Sequence, residues 1–304
     1  MPRSAGVPTL LVTGSNGQVG FELRRSLAPL GRVVALDRAG CDLSRPDEIR
    51  RVVREHRPDV IVNPAAYTAV DKAETETELA FAINGTAAGV LAEEAKVLGS
   101  LLVHYSTDYV FDGSKDGAYV ETDPVNPQSV YGKSKLAGEQ AIAAAGGSAL
   151  VLRTCWVAGA HGGNFAKTML RLGRERDSLR VIADQFGAPT TASLIADVSA
   201  QIVARHWLHG DRRTFASGVY HLAAAGETTW HAYATEVLHY ATAQGIELKV
   251  DPSRIEAIPA TAYPLPAPRP ANSRLDTGKL RQTFGIHLPD WQQGVHHLLD
   301  QIFS

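Results

Sequence analysis

Tyr131 and Lys135, in the stretch S-V-Y-G-K-S-K (129 to 135), stand four residues apart and share one face if the segment is helical. A phenol beside an ammonium can pass a proton, because the positive charge favours the ionised phenol and lowers a pKa that starts near ~10. Among the 9 tyrosines of the chain, Tyr131 is the one with a lysine at +4. Upstream, H-Y-S-T-D-Y-V-F-D-G (104 to 113) ends a candidate strand at Ser106 and Thr107. Hydroxyl, phenol and ammonium groups would then converge on the carboxyl-terminal rim of a sheet, where open α/β folds bind their ligands. General acid–base chemistry is what such a set can do.

A second group of residues supplies a partner for that chemistry. L-L-V-T-G-S-N-G-Q-V-G-F-E-L places Gly14, Gly17 and Gly20 between a short apolar run and an amphipathic segment. A dinucleotide pyrophosphate would rest there on helix N–H groups. The spacing is G-x-x-G-x-x-G, looser than G-x-G-x-x-G, so the flanking strand and helix carry the argument. A purely structural glycine-rich turn is the alternative. Asp37 and Arg38 close the second apolar run: the carboxylate can accept from ribose hydroxyls and the guanidinium can pair with a 2'-phosphate. An ordinary polar turn explains either residue equally well. NADPH or NADH is therefore expected, with a weak preference. N-P-A-A-Y (63 to 67) ends the third run with small residues that let backbone approach a cofactor.

The elements that must position these groups alternate. Apolar runs at 9 to 13, 32 to 37, 60 to 63, 101 to 105 and 149 to 153 are short and rich in Val, Leu or Ile, with helical segments between them. One helix is expected after Ser44, with Asp47 at the capping-box spacing, and another from about Ser129 through Ala145. This is the pattern of a doubly wound parallel sheet, a Rossmann fold. After Arg153 glycine and proline interrupt more often, with helices expected near Phe165 to Arg174, Ser193 to Trp207, Thr229 to Ala243 and Trp291 to Phe303. We divide the chain into a dinucleotide-binding domain at 1–157 and a smaller, interwoven substrate region at 158–304, with some segments returning to the first.

Bulk properties narrow the partners. The 304 residues carry a net charge of -2 and a pI of about 6.6, which gives no basic footprint for nucleic acid. The early Arg3 and the run T-L-L-V-T do not make a signal sequence, and no stretch of about 18 apolar residues predicts a membrane span. Cys41 and Cys155 have no metal-ligand or disulfide spacing, so a reducing cytoplasm is expected. The sequon Asn84-Gly85-Thr86 is discounted for lack of a secretory route.

Taken together, G-S-N-G-Q-V-G, A-A-Y-T-A-V-D-K-A-E, H-Y-S-T-D-Y-V-F, V-Y-G-K-S-K-L-A-G-E, N-F-A-K-T-M-L-R, D-Q-F-G-A-P-T, R-P-A-N-S-R-L and L-P-D-W-Q resemble extended short-chain dehydrogenase/reductases from end to end. More closely, they resemble the dTDP-4-dehydrorhamnose reductase family. That resemblance implies NAD(P)H-dependent reduction of the C4 ketone of a dTDP-bound 6-deoxyhexose. Thr107, Tyr131 and Lys135 match its catalytic positions; Gln18, Val19, Asp42, Leu43, Ala65, Ala66 and Tyr67 match cofactor positions. Ser106, Asp108, Trp156, Arg269, Asn272 and Ser273 fall on the substrate side, with Arg269 as a diphosphate clamp. Trp156 as ordinary core and Arg269 as a surface ion-pair partner remain the alternatives. Some relatives join subunits through a magnesium ion; Ser193 stands where they carry Glu, although Glu22 and Asp290 remain, so no tightly bound metal is expected. The one macromolecular partner left open is a second copy of the chain, as a homodimer. Other nucleotide-sugar epimerases and reductases are rival readings, as is a non-catalytic NADP-binding regulatory subunit. A dehydratase is disfavoured because Asp108 is followed by Tyr109 and not by Glu.

Overall fold

The computed structural model describes residues 6–304, so Arg3 lies outside the described residues. Six parallel strands form the central sheet: β1 (Thr9–Val12), β2 (Arg32–Ala35), β3 (Val60–Asn63), β4 (Leu101–Thr107), β5 (Ala149–Thr154) and β6 (Gly218–His221). Their spatial order is β2-β1-β3-β4-β5-β6. The order reverses beside β1, which opens a crevice at the carboxyl ends of β1 and β3. β2 stops at Ala35, short of the expected end, and β4 runs on to Thr107. β6 was not expected: G-V-Y-H lacks the aliphatic run of its neighbours, and as an edge strand it is buried only in part.

The longer helices are α1 (Gln18–Ser26), α2 (Pro46–His56), α3 (Ala87–Leu98), α4 (Val130–Ala145), α5 (Phe165–Glu175), α6 (Ala192–Ile202), α7 (Trp230–Ala243), α8 (Gly278–Phe284) and α9 (Trp291–Phe303). The capping box expected at Ser44 does not form. The Ser44 hydroxyl and N–H both donate to Asp42 Oδ1, and Pro46 takes the first helical position, where its preset φ and missing N–H fit. The helix expected to reach Trp207 ends at Ile202 and continues as a π turn over Val203–Leu208. Among the described residues no helix is long and apolar enough to cross a membrane.

Alternation along the strands sends side chains to both faces of the sheet. Leu10, Val12 and Val62 pack with Leu23, Ile195, Tyr220 and Phe284 on one face; Leu11, Ile61 and Leu102 pack with Ile49, Leu91 and Ile142 on the other. A further core joins Met169, Leu170, Val237, Leu238, Trp291 and Leu298, contributed by α5, α7 and α9. The segments beyond residue 158 that return to the sheet are α6, β6 and α8.

Two glycines seat α1 on the sheet. Gly14 has φ +54°, and a Cβ there would stand 2.7 Å from the Ala65 Cβ; a Cβ on Gly20 would meet the Gly14 carbonyl oxygen at 2.1 Å. Gly20→Ala is therefore expected to destabilise the fold by about 1–3 kcal/mol, because backbone has to move to admit the methyl. Urea unfolding checks this, and a midpoint equal to the parent's would show that α1 does not need so close an approach.

Candidate active site

The glycine turn fits a dinucleotide. The Gly17 N–H donates to the Gly14 carbonyl, Gly17 precedes α1, and no acidic residue lies in the first turn of that helix. First-turn amides lack intrahelical partners and attract an anion. Gln18 Oε1 accepts from the Gly159 N–H at 2.8 Å and from Asn164 Nδ2 at 3.1 Å, while Val19 packs on the sheet core. Both side chains are thus engaged within the protein. The Gln18 side chain fastens the 159–164 loop over the turn, and His161 adds a ring stack on Phe21 at 4.3 Å.

Beyond β2, Asp37 accepts from Asn16 Nδ2 through one oxygen and from the N–H groups of Ala39 and Gly40 through the other. Arg38 is 76% exposed and lies 3.7 Å from Asp42. Hydrogen bonds from Ser44, with Arg38 nearby, hold the Asp42 carboxyl below its usual range. Leu43 is buried among core residues, so its side chain faces away from solvent. Tyr67 is clamped by Asn84, whose Oδ1 accepts the Tyr67 N–H and whose Nδ2 donates to the Tyr67 carbonyl. Asn84 sits in a π turn, Ala82–Thr86, and also donates to Ser134 Oγ at 2.9 Å. The sequon is thus an interior clamp between the loop after β3 and α4, a role its sequence did not signal.

On α4 three ionisable groups follow one another at i, i+4 and i+8: Tyr131, Lys135 and Glu139. Ser129 Oγ accepts the Gly132 N–H, and the Glu74 carboxylate accepts the Val130 N–H at 2.8 Å, which suits the positive end of the helix. Lys135 is 2% exposed. Its Nζ donates to the Tyr105 carbonyl at 2.6 Å and lies 3.3 Å from His104 Nε2. Burial lowers its pKa to about 8, against the opposing pull of Glu139.

Tyr131 meets Tyr109 edge to face, ring centres 5.4 Å apart. Burial pushes its phenol up to about 12, with a hydrogen bond to Thr107 working against the shift and Asp108 adding to it. The expectation that the ammonium lowers this pKa is corrected: Lys135 Nζ is held at the strand backbone, and desolvation dominates. A phenol that keeps its proton suits carbonyl reduction.

Glu139 accepts from Arg153 through Nε at 2.9 Å and Nη2 at 2.7 Å, and from Ser106 Oγ. This corrects the reading of Ser106 as a substrate contact, since its hydroxyl points into a buried ion pair. Glu139 and Arg153 were not singled out from the sequence; the one available signal was Glu139 four residues beyond Lys135.

At the end of β4, Thr107 Oγ1 donates to Asp108 Oδ1 at 3.0 Å and accepts from the Tyr109 N–H. Burial raises Asp108 to about 6, moderated by hydrogen bonds from Ser273 and Thr107. Thr107, Asp108, Tyr131 and Ser273 are therefore brought together. Asn272 is not available to substrate: its Nδ2 donates to the Lys115 and Gly117 carbonyls, and its Oδ1 accepts from Arg274. It latches the loop that presents Ser273. Arg269 pairs with Asp71 at 2.8 Å and donates to the Ala267 carbonyl. Trp156 has φ +46° and stacks on Trp230 at 3.7 Å.

Of the residues weighed for magnesium, Glu22 pairs with Arg25, Ser193 Oγ donates to Thr191 Oγ1, and Asp290 precedes α9. Among the described residues no group of three or more His, Cys, Asp or Glu stands close enough to hold a metal ion.

Comparison with known proteins places this geometry. Residues 8–304 match the family model described as RmlD substrate binding domain. The chain is 52% identical to the dTDP-4-dehydrorhamnose reductase of Burkholderia thailandensis, covering 94% of this chain and 96% of that one. It is 48% identical to the enzyme of the same name from Escherichia coli K12, over 97% and 98%. The structure is similar to that of dTDP-4-dehydrorhamnose reductase from Bacillus anthracis in complex with NADP, with a TM-score of 0.87, 32% identity and coverage of 97% and 99%.

The buried lysine carries a stability consequence. Its folded pKa of about 8 lies below the ordinary 10.5, so the unfolded chain binds the proton more tightly. The penalty is full below about 8 and vanishes as pH rises to 10.5. Lys135→Met is expected to stabilise the protein at neutral pH by about 1–3 kcal/mol relative to wild type, with the difference closing over that alkaline range. Unfolding free energies measured across pH decide it; a pH-independent difference would show that Lys135 is folded without such a penalty.

Proposed function

The chain belongs to the dTDP-4-dehydrorhamnose reductase family, and from there we propose that its site reduces the C4 ketone of dTDP-4-dehydro-β-L-rhamnose to dTDP-L-rhamnose with Tyr131 as proton donor. The observation that carries this reading is the gathering of Thr107, Asp108 and a buried Tyr131 at the carboxyl end of β4, on the sheet whose β1 leads into the glycine turn. When bound, NADPH or NADH supplies the hydride.

The chain's own residues do the rest. Gly14, Gly17 and Gly20, with the amides of Gln18 and Val19, hold the pyrophosphate. Ala65, Ala66 and Tyr67 give backbone to the cofactor. Asp37 and Arg38 read the adenosine ribose, and Asp42 and Leu43 border the adenine. Thr107 and Tyr131 direct their hydroxyls to the ketone oxygen. The proton on the phenol oxygen passes to that oxygen as it takes up negative charge, and the Lys135 ammonium would hold the nicotinamide ribose. Asp108, Ser273 and Trp156 bind the sugar. Arg269 contacts the diphosphate; a guanidinium has five donors, so its bond to Asp71 orients the fork and leaves others for phosphate. Tyr109 packs on Tyr131 where a dehydratase would need a second carboxylate. The reaction belongs in the cytoplasm, in keeping with two free, buried cysteines.

Incubation of the purified chain with the keto sugar nucleotide and NADPH should oxidise cofactor in step with dTDP-L-rhamnose formed; no oxidation would favour the non-catalytic binding subunit. Tyr131→Phe should lower kcat by ~10²-fold or more with NADPH binding nearly unchanged. Turnover at the wild-type rate would remove Tyr131 from its role. Both cofactors should support turnover. Arg38→Ala should weaken NADPH but not NADH, by no more than about tenfold, because so exposed a charge is well screened. An equal effect on the two cofactors would show that Arg38 does not read the 2'-phosphate.

A further inference from the structure

Behind Lys135 stands a line of polar side chains that the proton transfer does not itself require. Thr13 Oγ1 is 2.5 Å from Asn63 Oδ1, Asn63 Nδ2 is 3.0 Å from His104 Nδ1, and His104 Nε2 is 3.3 Å from Lys135 Nζ. All three side chains are buried. Thr13 directly follows β1, Asn63 ends β3 and His104 lies in β4, so the line crosses three neighbouring strands from the glycine turn to α4. Buried polar groups are tolerated in such a place only when each bond is made.

We propose that His104 is a positioning residue for the reduction: its Nε2 takes one N–H of the Lys135 ammonium, the Tyr105 carbonyl takes a second, and the third is left in a fixed direction for the bound ribose and phenol. The inference rests on the proton transfer assigned to Tyr131. An ammonium has three donors, and two anchors stop its rotation about the last carbon–nitrogen bond. The imidazole is neutral, since burial and the Lys135 charge hold its pKa well below the usual range. For Nε2 to accept from an ammonium, the ring proton has to sit on Nδ1 and Asn63 has to present its carbonyl oxygen there, passing its amide hydrogens to Thr13. A half turn of the Asn63 amide achieves this. With a neutral amine every bond in the line runs the other way, so the ring tautomer follows the charge on Lys135. The other ionisable groups facing that ammonium are Tyr131 and Glu139 on α4, the latter paired with Arg153 from β5.

The test uses the full chain with 15N labels in the lysine ammonium and histidine ring. Below the Lys135 titration at about 8, wild-type His104 is expected as the Nδ1–H tautomer. An Nε2–H ring beside a protonated Lys135 overturns the proposal, and this measurement needs no variant. His104→Phe removes the acceptor, and His104→Gln restores one. In the Phe variant Lys135 should titrate at least about one unit lower, and the alkaline limb of kcat should move down with it, about a tenfold loss at high pH and little at low pH. The Gln variant should return both toward wild type. A Phe variant that melts earlier, with both titrations unmoved, would show that His104 only fills space. Absence of reductase activity in the wild type would remove the proposed reaction, while the lysine titration would still decide whether His104 holds Lys135.

Discussion

An ammonium has to be kept out of water beneath a phenol, and the bond from Lys135 Nζ to the Tyr105 carbonyl is the constraint from which the surrounding design follows. A buried cation without full hydrogen bonding would neutralise or escape. α4 must therefore pack closely on its neighbours, and its glycines make that possible where it meets the turn after β4 and the Ala82–Thr86 π turn. A Cβ on Gly132 would stand 2.3 Å from the Tyr109 carbonyl oxygen, and one on Gly138 would stand 2.2 Å from that of Asn84. One turn beyond Lys135, Glu139 supplies the compensating charge, itself fixed by a two-point bond to Arg153. The face of α4 that looks too polar to be buried is buried because each of its charges meets a partner on β4 or β5.

The same economy joins the two ends of the chain. The Gln18 amide, at the start of α1, holds the 159–164 loop; Asn272, far along the sequence, holds the 115–117 loop and so places Ser273 against Asp108. The glycine turn and the cluster of Thr107, Asp108 and Ser273 are thus each steadied by side-chain amides bonding to backbone, which fixes distance and direction without adding charge.

How far the sequence revealed this differs by element. β1, β3, β4 and β5 were legible because a fully buried parallel strand needs an unbroken aliphatic run, and Ser129 at the start of α4 was legible because a serine before a helical segment caps it. β6 escaped because an edge strand is half-buried and needs no such run. Tyr131, Lys135 and Thr107 were read from spacing and a strand end, and the fold sets them on α4 and at the end of β4. For Ser106 a strand end was not enough: adjacent residues of a strand point to opposite sides, so a hydroxyl one position from Thr107 serves the Glu139 pair instead. Asn272 and Arg269 were placed near the site by their neighbours in sequence, yet which bonds their donors make depends on chain segments more than a hundred residues away. The Thr13–Asn63–His104 line has no periodic signature at all, because its members come from three strands that only the sheet order brings together.

Trp156 and Trp230 have a further consequence. Their indoles lie 3.7 Å apart and 18° from parallel, one following β5 and the other opening α7. Trp156 is held in this place by a left-handed backbone conformation that a non-glycine residue adopts at a cost of about 1 kcal/mol or more. Transition dipoles at such a separation couple, so the pair absorbs and emits as a unit whose circular dichroism depends on the angle between the rings. The junction between the sheet and the α5–α7–α9 core thus carries a built-in optical protractor: movement of one indole against the other is written into the far-ultraviolet circular dichroism of the unlabelled protein.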